Sequence, residues 1–195
     1  MQKIVFATNN QNKLKETRLI LPDFEIITQE EASFFDVVIE DGETFAENAL
    51  KKATVVSLFT NCITIGEDSG ICVSVLRGGP GIHSARWSGE GDHANNLKLL
   101  EEIDGETNRA AYFHSAIALV YPPSMDRSPK FFEADWQGSV SHEIRGENGF
   151  GYDSVFIPYG YDKTSAELTS EEKNKISHRY LALIKLKEFL EGDSL

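Results

Sequence analysis

The sequence predicts an α/β protein built on a mixed β-sheet flanked by helices. Three observations carry this. The chain opens strand, polar turn, helix, strand, the rhythm of α/β folds. A strongly signalled helix follows over residues 44–59. Later, two long strand-like segments at 110–121 and 130–140 are joined through Pro122-Pro123, which predicts an antiparallel pair. The chain of 195 residues is expected to form one domain over 1–195, with two lobes and a central cleft.

Each element has a local reason. Ile4, Val5, Phe6 and Ala7 run without a polar break, as in a buried strand. Asn10 to Leu21 reads as a helix with apolar Leu14, Leu19 and Leu21, stopped by Pro22. Phe24 to Thr28 is the second strand. Thr44-Phe45-Ala46-Glu47 fits a capping box, and Ala46, Ala49, Leu50, Ala53 and Val56 give the helix its apolar face. Ile63 to Glu67 and Ile71 to Leu76 read as two strands around a tight Asp68-Ser69-Gly70 turn. Arg77 to Gly81 is a loop, since Gly and Pro crowd it. Asn95 to Ile103 reads as a helix, Ser154 to Ile157 as a short strand, and Ser177 to Leu190 as a final amphipathic helix.

Composition narrows function. Hydrophobic residues make up 41% and charged residues 26%, which is ordinary globular usage. The net charge of −12 argues against a non-specific nucleic-acid binder or an RNA-binding module, which needs a basic stripe. No segment approaches the ~20 apolar residues of a membrane span, and the first residues lack a signal-peptide pattern. Cys62 and Cys72 lie in apolar stretches and read as two buried thiols of a cytoplasmic protein.

Four polar clusters stand out. Thr8-Asn9-Asn10-Gln11-Asn12-Lys13 follows the first strand and opens a helix. The exposed N–H groups, the helix dipole and Lys13 favour an anion there, although simple capping by Asn10 explains the pattern equally well. Glu40-Asp41-Gly42-Glu43, Glu47 and Glu67-Asp68 form an acidic group of the kind Mg²⁺ prefers, and Asp68 is placed to accept a proton from water. A cap, a helix dipole and a turn account for the same residues without a ligand. Gly149-Phe150-Gly151-Tyr152-Asp153 alternates Gly with aromatics, suiting either a stacked nucleobase or a core. Lys173 with Ser177-His178-Arg179 places cations at a helix start, against the dipole, which either an anion or a base carbonyl explains or a purely structural histidine and its neighbours account for without a ligand.

Together these clusters resemble the inosine triphosphate pyrophosphatase family, the RdgB-like enzymes that clear non-canonical purine nucleotides. Six motifs recur in order along the chain: Thr8-x-Asn10-x-x-Lys13; Thr44-Phe45-x-Glu47-Asn48-Ala49; Glu67-Asp68-Ser69-Gly70; Pro80-Gly81-x-x-Ser84-Ala85-Arg86; Gly149-Phe150-Gly151-Tyr152-Asp153; and Glu172-Lys173-x-x-x-Ser177-His178-Arg179. Asn9 stands where the family often has Gly, and Glu67 where it often has a second Asp. The resemblance implies an ITPase-like fold, a homodimer, and Mg²⁺-dependent hydrolysis of inosine and xanthosine triphosphates to monophosphate and pyrophosphate. By position it implies Asp68 as general base and, with Glu40, metal ligand. It implies phosphate contacts from Thr8 to Lys13 and a substrate contact from Ser69. Phe150 would stack on the base, with Gly151, Tyr152, Asp153, Lys173, Ser177, His178 and Arg179 around base and sugar. Two other readings remain open at this level: a Maf-type pyrophosphatase for pyrimidine or modified nucleotides, and a nucleotide-binding regulator without turnover.

Overall fold

The computed structural model describes residues 2–192. Six strands form one mixed sheet in the order β2-β1-β3-β4-β5-β6. In chain order the elements are β1 (Gln2–Phe6), α1 (Gln11–Ile20), β2 (Phe24–Thr28), α2 (Phe45–Thr60), β3 (Thr64–Val73), α3 (Asp92–Glu102), β4 (Ala110–Val120), β5 (Lys130–Val140), β6 (Phe156–Pro158), α4 (Ser170–Lys173) and α5 (His178–Gly192). β1 runs parallel to β2 and β3, and β6 antiparallel to β5. The α/β expectation with a mixed sheet and flanking helices is met.

The chain divides into two compact units. The first comprises the residues up to Asp68, then 115–134, and the chain from Tyr180 onward. Its core gathers Ile4, Phe6, Leu14, Ile65, Ile117, Leu119, Leu183 and Leu186. The second comprises 69–114 and 135–179, with a core of Ile71, Val73, Leu99, Phe113, Trp136, Tyr152 and Phe156. Strands β3, β4 and β5 each run from one unit into the other.

Local chemistry starts α1 and α2 where the sequence says. Asn10 is the N-cap of α1, its side chain accepting from the N–H groups of Asn12 and Lys13. Thr44 caps α2 by accepting from the Glu47 N–H, and Asn61, left-handed at φ 51°, ends it.

Four expectations are corrected. Asp68-Ser69-Gly70 is not a turn: β3 passes straight through it as one ten-residue strand. The reason is tertiary. A Cβ on Gly70 would lie 2.4 Å from the Gly81 carbonyl oxygen, so only a bare backbone passes there in extended form. β3 also ends at Val73, because Ser74–Leu76 tightens into a 3₁₀ turn. α3 begins at Asp92, three residues before the apolar periodicity starts, behind Gly91 at φ 91°. Both cysteines are free; Cys72 is buried as expected, while Cys62 is only partly so.

One contact sets the first unit's geometry. The Ala49 and Ala53 turns of α2 press directly onto β3, where a Cβ on Gly66 would stand 2.2 Å from the Ala49 carbonyl oxygen. Gly66→Ala is therefore expected to force α2 off the strand. It should cost about 1–3 kcal/mol, read as a lower denaturant midpoint at unchanged slope.

Candidate active site

The close seat of α2 on β3 positions the first cluster. Asn48 and Lys52, one helical turn apart, share the face that meets the strand. The Asn48 amide is fully buried and reaches both ways. Its Nδ2 donates to Asp68 Oδ2 at 3.1 Å, and its Oδ1 accepts from the Gly42 N–H at 2.8 Å. Lys52 Nζ donates to the Glu67 carbonyl oxygen at 2.8 Å and to Glu40 Oε2 at 3.0 Å. Lys51 pairs with Asp41. Three side chains of one helix thus hold the acidic loop 40–42 against the strand that carries Asp68.

Asp68 and Glu67 are neighbours in an extended strand, so their side chains leave opposite faces. Glu67 is buried and accepts from Ser115 Oγ at 3.3 Å, with Lys13 Nζ 3.8 Å from its Oε1. Lys13 also reaches the Glu67 carbonyl oxygen at 3.5 Å. Burial pushes the Asp68 carboxyl above its ordinary range. Lys52 and Lys13 oppose that shift, Glu40 adds to it, and the Asn48 hydrogen bond opposes it. The chemical consequence is a carboxylate with more proton affinity than an exposed one, beside two ammonium groups.

The turn from Thr8 to Lys13 lies at the head of α1. Thr8 Oγ1 accepts from the Asn10 N–H at 3.1 Å, and Asn10 Oδ1 takes the Asn12 and Lys13 N–H groups at 3.0 and 3.2 Å. The capping explanation of Asn10 is therefore correct as far as it goes. Asn9, Gln11 and Asn12 are exposed.

The second unit holds the other group. Asp153 is buried and its carboxylate accepts from three donors. These are Lys173 Nζ at 2.5 Å, Ser165 Oγ at 2.6 Å and the Phe150 N–H at 2.9 Å. Gly149 is required beside it: φ is 78°, and a Cβ would lie 2.1 Å from Asp153 Oδ2. Phe150 carries cations over its ring, with Lys173 Nζ at 4.9 Å and the Arg179 guanidinium at 5.3 Å from the centroid. Arg179 also donates to Ser69 Oγ at 3.4 Å, and Ser69 follows Asp68 in β3. His178 stacks on Phe113 at 4.7 Å with planes 8° apart. Ser177 is buried, its N–H donating to the Lys173 carbonyl oxygen at 3.0 Å. Tyr152 lies in the core, its hydroxyl donating to the Ser84 carbonyl oxygen at 2.8 Å.

Sequence reasoning missed Asn48 as a ligand-orienting group, and missed Lys52 and Ser165 altogether. The signal for the first two was available. On a capped helix that follows an acidic loop, an Asn and a Lys four apart share one face.

The carboxylates suit one metal. Among the described residues no three His, Cys, Asp or Glu side chains gather into a metal cage. Mg²⁺ does not need one, since it binds through one or two carboxylates plus water and substrate phosphates. Asp68 and Glu40 supply hard oxygen donors of that type.

A mixed-sheet α/β protein with a buried, lysine-flanked carboxylate and an aromatic platform backed by cations is a distinctive class. The chain belongs to the Ham1 family, whose model matches residues 4–189. A dITP/XTP pyrophosphatase of Nitrosomonas europaea is 45% identical over 194 residues, covering 97% of this chain and 95% of that protein. The structure of the Staphylococcus aureus Ham1 protein superposes with TM-score 0.89 at 40% identity, covering 98% of this chain and 99% of that one. A HAM1 protein from Coxiella burnetii gives 0.92 at 37%, covering 99% and 100%. The resemblance read from the six motifs is borne out. No helix among the described residues is long and apolar enough to cross a membrane.

Proposed function

We propose that this protein hydrolyses deaminated purine nucleoside triphosphates (ITP, dITP and XTP) to the monophosphate and pyrophosphate, with Mg²⁺, and so removes them from the cytoplasmic nucleotide pool. One observation carries the chemistry. Asp68 is a buried carboxylate held in place by the Asn48 amide; burial raises its proton affinity, and the charges of Lys52 and Lys13 oppose that rise. A triphosphate repels incoming hydroxide, so a site that attacks it must first neutralise charge. Lys13 and Lys52 do this, with the positive dipole end at the head of α1. Asp68 accepts the proton of the attacking water. Attack at the α-phosphorus breaks the bond to the bridging oxygen, and pyrophosphate leaves with that electron pair. A Mg²⁺ ion held by Asp68 and Glu40 would add positive charge and align phosphate oxygens.

Base selection rests on the group around Phe150. Phe150 offers a flat face, and Lys173, His178 and Arg179 supply donors. Inosine and xanthine carry an acceptor at position 6, whereas adenine carries a donor there. A site lined with donors leaves a buried group unpaired when adenine enters, which discriminates strongly. The homodimer belongs to the same reading. Phe35, Val37 and Ile39 are 74%, 83% and 70% exposed just before Glu40, and apolar surface of that kind is what association covers.

The test incubates the purified chain with ITP, dITP, XTP, GTP, ATP, UTP and dTTP, with Mg²⁺ or with chelator. Light scattering on the same preparation gives its mass. The expected result is a dimer releasing monophosphate and pyrophosphate from ITP, dITP and XTP, little from ATP, and none in chelator. Preference for the pyrimidines would replace this reading with a Maf-type activity. Tight ITP binding without turnover would make the protein a regulator.

A further inference from the structure

Helix α3 carries a device that the reaction scheme does not use. Its first-turn Asp92 and its Asn96 stand one turn apart and address the same residue, Gly151. Asp92 Oδ2 accepts from the Gly151 N–H at 2.6 Å. Asn96 Nδ2 donates to the Gly151 carbonyl oxygen at 3.0 Å, and to Ser154 Oγ at 3.0 Å. The two peptide groups flanking Gly151 are thus gripped from one helix face, and Gly151 itself sits at φ 62°, where other residues are strained. The preceding Phe150 N–H is held separately by Asp153.

We infer that Asp92 and Asn96 are positioning residues that fix the Phe150 ring as a rigid platform for the substrate base. The inference rests on the proposed stacking role of Phe150. Asn96 is 3% exposed, and its Oδ1 is buried with no hydrogen-bond partner. A buried acceptor left unmet costs stability, and what the Asn96 amide sets against that cost is its two donor contacts, to Gly151 and Ser154. A loop with alternating glycines loses much backbone freedom on ordering. Clamping it in the free protein removes that cost from the binding step, and the benefit appears in substrate affinity, not in the chemical step.

The experiment measures KM and kcat for dITP, with unfolding midpoints, for Asp92→Ala, Asp92→Asn, Asn96→Ala, Phe150→Ala and the Asp92→Ala/Phe150→Ala pair. Phe150→Ala should raise KM about tenfold or more, as expected for a lost base stack. Asp92→Ala and Asn96→Ala should each raise KM about tenfold with kcat within about twofold. Asp92→Asn keeps an acceptor for the Gly151 N–H and should recover most of the loss. The double variant should be no worse than Phe150→Ala alone, because no ring is left to position. An unchanged KM in Asp92→Ala, beside a raised KM in Phe150→Ala, overturns the clamp alone. Multiplying effects in the pair, or a loss of kcat and stability together that Asp92→Asn does not rescue, also overturns it. An unchanged KM in Phe150→Ala removes the stacking role first, and the clamp with it.

Discussion

Asp68→Asn is expected to lower dITP turnover by about 10³-fold while the chain stays folded and still binds nucleotide, the size of effect a positioned general base supplies. The substitution is nearly isosteric, and the Asn48 Nδ2 that donates to Asp68 Oδ2 keeps an oxygen acceptor. The change removes a proton acceptor, one negative charge and one of the two carboxylate donors proposed for Mg²⁺, so the assay holds Mg²⁺ at saturation. Turnover within tenfold of the parent would sink the base assignment. A second, opposite effect follows from the same burial. The Asp68 carboxyl lies above its ordinary value of 3.8 in the folded chain, chiefly through burial. The folded state therefore holds this proton more tightly than the unfolded state. Its favourable contribution is fully present below the unfolded pKa. It is lost as pH rises through the interval between the ordinary value and the raised one. At neutral pH the ionised group disfavours the metal-free fold. In chelator at pH 7, Asp68→Asn should melt at a higher temperature than the parent, with the gap closing as pH falls into the ordinary carboxylate range. Loss of activity with gain of stability separates a functional carboxylate from a structural one.

The features legible in the sequence are those whose physics is local. Thr44 and Asn10 cap their helices through hydrogen bonds that span two or three residues, so the pattern alone reveals them. The uninterrupted run Ile4 to Ala7 marks a strand buried on both faces. Asp68-Ser69-Gly70 misleads because its local preference is a turn. The contacts that keep it extended come from residues 81 and 84 beneath Gly70 and from residues 49 and 53 beneath Gly66. Nothing in a seven-residue window encodes those neighbours. The same limit hid Lys52, whose partners are fifteen residues ahead and twelve behind. It also hid the full duty of Asp153, offered by the sequence as a base-reading group. Asp153 proves to organise Phe150, Ser165 and Lys173 from within the protein.

That organising role predicts a large stability effect. Asp153→Ala is expected to cost about 3–5 kcal/mol, because it strands a buried ammonium beside two further donors that lose their acceptor. Lys173 and Asp153 are only 7% and 4% exposed at their side chains, so water cannot replace the missing partner. Against the roughly 5–15 kcal/mol that holds a domain of this kind together, such a loss leaves little margin. The pair should respond asymmetrically. In Lys173→Met the carboxylate keeps the Ser165 hydroxyl and the Phe150 N–H, so its charge stays hydrogen-bonded. In Asp153→Ala the ammonium is left facing the Phe150 ring, a far weaker partner than a carboxylate. Denaturant unfolding should therefore rank Asp153→Ala below Lys173→Met. The Asp153→Ala/Lys173→Met double variant should be more stable than Asp153→Ala alone, since removing the second charge removes the desolvation cost that the first substitution exposed. A cost below about 1 kcal/mol for Asp153→Ala would place the pair with ordinary surface bridges and contradict its burial. Equal losses in the two single variants would mean that the Ser165 and Phe150 donors contribute nothing to holding the carboxylate.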